Sequence, residues 1–208
     1  MQILLEREFI LPDQSPGGEY MFKHILVADT IYNTLLKRER KDLHGQVAGT
    51  IEKLFASNLE SQVDVLARHY FWSDHLERAL HYLILAGEKA ARNYNSSQAQ
   101  KYFEDALSLL PEVEHLPLQA LQVHTGLGDA LALAGDYPNT RASYQRAAQI
   151  IAGDEKANVE IACSLQRKIG MTHECQGDYD QALICLEAAR NLLLGAGLDS
   201  LAELSQIL

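Results

Sequence analysis

The residues able to carry chemistry are few and poorly spaced for it. Cys163, Cys175 and Cys185 stand near His173, but a structural zinc site needs four convergent ligands, and no zinc-type spacing is present. His69, His75 and His81 recur every six residues, which scatters them around a helix. Gly126-x-Gly128 lies inside an apolar helical run, and Gly195-x-Gly197 follows another. A dinucleotide fingerprint needs a strand before it and a helix after it. No phosphate loop of the G-x-x-x-x-G-K-[ST] type occurs, no Ser/His/Asp or Cys/His grouping stands out, and the paired aspartates of a nucleotide cyclase have no motif here. The basic run Lys37-Arg38-Glu39-Arg40-Lys41 reads as a solvated helix face. The expectation is a chain that is not an enzyme and holds no cofactor and no metal.

Charge narrows the partners. With 18 Lys and Arg against 28 Asp and Glu, the net charge of the 208 residues is −10. Nucleic-acid binders need a basic face to neutralise phosphates, so no nucleic acid is expected. No run of about 18 apolar residues exists, so no membrane span is expected. Glu6, Arg7 and Glu8 interrupt the N-terminal apolar run, which is therefore not a signal peptide. Three cysteines are too few for a disulfide scaffold and read as reduced thiols in a cytoplasmic protein.

Two segments must position whatever the chain does. Residues 1–57 begin with mixed signals. MQILLERE reads as the tail of a helix, and two short extended runs then flank the loop DQSPGG at 13–18, which predicts a β-hairpin over 9–24. From Ile25 the period turns helical: Val27, Ile31, Leu35 and Leu36 share a face, and Leu43, Val47, Ile51 and Leu54 continue the pattern. Phe22 and Ile25 are expected to bury where hairpin and helix meet. Residues 58–208 show no strand pattern. They are punctuated by turn signals such as Gly135-Asp136 and Gly177-Asp178.

Those turns mark a repeat. Gly87, Gly128 and Gly170 are spaced by 41 and 42 residues, as are Ala99, Thr140 and Ala182, the large residues Phe103, Tyr144 and Leu186, and Ala106, Ala147 and Ala189. Each unit reads as a helix carrying a glycine where its partner crosses closely, then a helix with small residues facing back. Glycine inside a helix costs up to about 1 kcal/mol relative to alanine, and close approach is the reason for three at equivalent places. Leucine at Gly128 or Gly170 should overpack the crossing, with alanine milder. The pattern resembles the tetratricopeptide repeat over roughly 76–195, with a period of 41–42 instead of 34. The extra residues predict helices about a turn longer. A further apolar helix is expected near Ser200, and an array ending on one lacks a polar cap, so a longer parent is expected.

A second resemblance covers about 20–110. Tyr20, Phe22 and His24, then Tyr32 with Leu35 and Leu36, then Lys37, Arg38, Arg40 and Lys41, then Leu43 and His44 resemble the end of a winged-helix domain in bacterial signalling ATPases of the STAND class. These include ATPases linked to adenylate or guanylate cyclase domains and LuxR-type regulators. In that class a Met-His-Asp motif places its histidine on the phosphates of bound ADP. Carried over, this gives His24 a cofactor-binding role in an intact parent, although Ile25 replaces the aspartate.

The expected architecture is an all-α, right-handed solenoid of tetratricopeptide-like helix pairs behind a small hairpin. The expected function is non-catalytic binding of a protein, a peptide or a neighbouring domain. The resemblance places the partner groove on first-helix positions: His81, Ile84, Glu88 and Arg92, then Gln122, Thr125 and Asp129, then Arg167, Met171 and Glu174. The alternatives are part of an ATP-binding nucleotide cyclase, or the effector-sensing arm of a LuxR-type regulator.

Overall fold

The chain is described by a computed structural model over residues 2–7, 9–12, 20–113, 116–152 and 158–195. The predicted loop at 13–18 and the helix expected near Ser200 lie outside those residues. A short helix α1 (Gln2–Glu6) leads into β1 (Ile10–Pro12), which pairs antiparallel with β2 (Tyr20–Phe22), Leu11 opposite Met21. Helices α2 (Ile25–Thr34), α3 (Lys37–Leu54) and α4 (Val63–Phe71) follow. Three longer antiparallel pairs complete the array: α5 (Leu76–Arg92) with α6 (Ser96–Leu109), α7 (Pro117–Ala134) with α8 (Tyr137–Ile151), and α9 (Val159–Cys175) with α10 (Tyr179–Gly195). The described residues form an all-α solenoid with one two-stranded hairpin.

Local chemistry sets the boundaries. Pro117 begins α7, where its missing N–H is not needed. Gly135, at φ 80°, ends the helix in the left-handed conformation. Asp136 then caps α8, its carboxylate accepting from the Asn139 amide. Gly177 and Asp178 repeat the device before α10. The equivalent turn between α5 and α6 places Tyr94 at φ 57°, where a side chain is strained.

The three helical glycines sit at crossings, as the repeat register requires. A Cβ at Gly87 would meet the Phe103 ring at 2.7 Å, and one at Gly128 the Tyr144 ring at 2.4 Å. At Gly170 the nearest atoms are the Ala182 carbonyl and Cys185 Cβ, both at 3.3 Å. Alanine is therefore tolerable at 170 but already too large at 128. Gly126 belongs to the same system: its Cβ would lie 2.3 Å from Phe103 Cζ. The Phe103 ring is thus a wedge between α5 and α7, and 2% of it is exposed.

Carboxylates tie neighbouring pairs together. Glu52 on α3 accepts the Tyr70 hydroxyl of α4 at 2.6 Å, the Tyr82 hydroxyl of α5 at 2.7 Å, and the Arg78 guanidinium. Asp129 on α7 accepts the Tyr144 hydroxyl of α8 at 2.7 Å and the Lys168 ammonium of α9 at 2.6 Å. Each is a latch of carboxylate, tyrosine and the next pair's cation. The unit between them has Glu88, Phe103 and Leu127 at the positions 41 before Asp129, Tyr144 and Lys168. There the hydroxyl and the cation are replaced by apolar groups. A third tie runs from Asp64 to Lys89 at 2.5 Å and the Tyr102 hydroxyl at 3.0 Å.

The N-terminal region departs from expectation. Phe22 is 43% exposed and Ile25 72% exposed; neither buries. No residue of α2 is buried; among the described residues it packs against β2 and reaches α3 through Tyr32. Its tie to the body is polar: the Tyr32 hydroxyl stands 3.0 Å from His44 Nε2, and His44 Nδ1 stands 2.9 Å from His69 Nδ1. Burial and the Arg68 charge hold the His44 pKa below its ordinary value, and burial, His44 and Arg68 do the same at His69. Segments with few buried contacts open at low free energy. Amides in 20–34 should therefore exchange fast and those in α5 through α9 slowly, as read by hydrogen exchange with mass spectrometry. Protection of 20–34 equal to that of α7 would show a covering layer not visible here.

Candidate functional site

Helices α7 and α9 lie on either side of α8, and their facing side chains bound a groove of about 450 Å³. Its walls carry Leu133, Tyr137, Arg167, Lys168, Met171 and Cys175, with Tyr144 and Asp129 beneath. The sequence places these residues together because α7 and α9 are equivalent helices of successive pairs. Successive residues four apart on α9, Arg167, Met171 and Cys175, share one face. Leu133 is 65% and Met171 49% exposed, so two large apolar side chains stand in water at the mouth.

The groove's polar groups divide into satisfied and unsatisfied. Asp129 and Lys168 compensate each other, and Lys168 also lies 5.4 Å from the centre of the Tyr144 ring. Burial, then the hydrogen bond to Asp129, raises the Tyr144 pKa far above that of a free phenol, so it stays a neutral donor. Arg141 is held by Thr172 and Gln176. Arg167 is not held by a carboxylate among the described residues. Its Nη1 lies 3.6 Å from the Met171 sulfur, and its Nε is buried without a hydrogen-bond partner. A buried N–H left unpaired costs about 1–3 kcal/mol.

Of the residues predicted to line a partner groove, the structure brings Asp129, Arg167 and Met171 together here. His81 and Arg92 border a separate cleft of about 270 Å³ between α5 and the start of α4, with Glu60 and Lys89. Gln122 and Glu174 are exposed, Thr125 and Glu88 half-buried, and none of the four lines the α7–α9 groove. Ile84 is a correction. It is 5% exposed and packs in the core with Leu66 and Leu83, because α4 covers that face of α5. Lys168, Leu133 and Tyr137 were missed. Lys168 stands 39 residues after Asp129, one repeat less three, and that spacing is its only sequence signal. His24 is exposed at the start of α2, its carbonyl accepting from the Val27 amide. Among the described residues no group of three or more His, Cys, Asp or Glu is placed to hold a metal ion, and no helix is long and apolar enough to cross a membrane.

Fold and groove define a stack of antiparallel helix pairs with an open groove on one face. Residues 119–195, which span nearly all of α7 through α10, match the tetratricopeptide repeat family, whose repeats serve protein–protein interaction and scaffolding. An uncharacterized protein of Rhizobium meliloti (strain 1021) is 29% identical over 135 residues, covering 62% of this chain and 13% of its own length. The chain thus corresponds to a small part of that relative.

Proposed function

We propose that this chain is the non-catalytic protein-binding and scaffolding region of a multidomain bacterial signalling protein, and that the groove between α7 and α9 receives an extended peptide segment of a partner. The observation that carries this reading is the unpaired Arg167 beside exposed Leu133 and Met171. An apolar side chain fills the mouth, and an adjacent carboxylate satisfies the guanidinium. Arginine suits the second task because its planar fork can take both carboxylate oxygens. The setting is supported by the relative's much greater length and by the resemblance of residues 20–44 to the end of a winged-helix domain. In such a parent the hairpin and α2 would join a nucleotide-binding part to the repeats.

Selection from a displayed peptide library tests the groove. Bound peptides should share a large apolar residue next to an acidic one. Leu133→Asp should weaken them at least tenfold, and Arg167→Glu should turn the preference from acidic to basic neighbours. Peptides that bind both variants as well as the parent chain would place the binding face elsewhere.

A further inference from the structure

A second cavity, of about 570 Å³, lies on the opposite part of the chain, where the loops joining α2 to α3 and α4 to α5 meet the end of α6. Phe71 and Trp72 supply an aromatic wall, their rings 5.4 Å apart and edge-on. Trp72 leaves 57% of its surface exposed, unusual for the chain's single tryptophan. The basic run at 37–41 is more than a solvated face: Lys37, Arg40 and Lys41 all border this cavity.

The three cations are not equivalent. Lys41 is neutralised by Asp74 at 2.6 Å. Arg40 lies over the Tyr32 ring, 5.1 Å from its centre, and its Nε is buried with no hydrogen-bond partner. No carboxylate among the described residues pairs with Arg40 or Lys37; the cavity's own acid, Glu112, lies close enough to act on Lys41. In a chain of net charge −10, two unpaired cations at the edge of an aromatic hollow form a local exception. The volume falls within the range of small-molecule sites, which are mostly apolar with a few convergent polar groups.

We propose that this cavity binds a small aromatic anion: a flat ring resting on Trp72, with its carboxylate or phosphate held by Arg40 and Lys37. Both halves of the ligand are needed. The ring displaces water from the indole face, and the anion supplies the negative partner that Arg40 and Lys37 lack.

The single tryptophan makes the test direct, because its fluorescence reports on this cavity alone. The full chain would be titrated with phenyl phosphate and with benzoate, against benzyl alcohol and inorganic phosphate at constant ionic strength. Saturable change with at least one aromatic anion is expected, with apparent affinity at least tenfold above that of either half alone. Lys37→Ala and Arg40→Ala should each weaken it several-fold. Lys37 is exposed and outside the core, so its variant keeps the test valid if Arg40→Ala disturbs α2. Flat titrations with both anions overturn the proposal. So does equal binding of benzyl alcohol or phosphate, or an affinity unchanged in both variants.

Discussion

Phe103→Ala is expected to lower the melting temperature by roughly 10 °C. Removing a buried phenylalanine side chain costs about 3–5 kcal/mol, and 1 kcal/mol is worth about 2–4 °C in a chain of this size. The ring is wedged between Gly87 of its own pair and Gly126 of the next, so its loss opens a gap both within the α5–α6 pair and between that pair and α7. The glycines give the sharper test. Gly126→Ala alone should destabilise by about 1–3 kcal/mol, because a Cβ cannot share the ring's space. In the Phe103→Ala background the clash is gone, and the same change should stabilise by up to about 1 kcal/mol through helix propensity. The sign of the Gly126→Ala effect therefore reverses with residue 103. Equal cost in both backgrounds would show that the wedge is not the reason for the glycine.

Glu52→Ala should cost about 2–5 kcal/mol, measured by urea unfolding at pH 7. It strands the hydroxyls of Tyr70 and Tyr82, which are 1% and 6% exposed, and an unsatisfied buried donor costs about 1–3 kcal/mol. The Arg78 side chain is 58% exposed and resolvates, so its share is small. Acid should reveal the same contact. Burial pulls the Glu52 carboxyl upward, but the hydrogen bonds from Tyr70 and Tyr82 and the charge of Arg78 outweigh it and hold its pKa below the ordinary 4.5. A depressed carboxylate contributes its stability above the unfolded value and loses it as pH falls through the folded one. Glu52→Gln should thus be less stable than the parent chain at neutral pH, and the difference should shrink below pH 4.5. A difference that stays constant into acid would mean that the carboxylate's charge plays no part in the latch.

The repeat was legible because close packing leaves a mark in composition: glycine, alanine and an aromatic recur at fixed spacing wherever two helices cross. The same logic ran out at Gly126. It stands outside the spacing of 41 and 42, since the ring it accommodates comes from the preceding pair. Ile84 was misplaced for a related reason. The same repeat position lines the open groove at Arg167, but at Ile84 the α4 residues Leu66 and Tyr70 pack over it. The hairpin was legible from its turn residues, yet the fate of Phe22 and Ile25 depended on which layers surround them, and no local pattern encodes that. Within the groove, Arg167 and Met171 followed from the first-helix positions that the tetratricopeptide resemblance implies. Whether Arg167 would find a carboxylate depended on side chains from another helix, so its unpaired state emerged only in three dimensions.

The alternation of latches along the array also gives the solenoid joints of two physical kinds. A carboxylate held by a tyrosine and a cation at 2.6–2.7 Å is directional: it fixes the angle between the groups it joins. An aromatic ring seated against two glycines fixes distance instead, through shape alone. The joints at Glu52 and Asp129 are therefore aimed, and the joint at Phe103 is fitted.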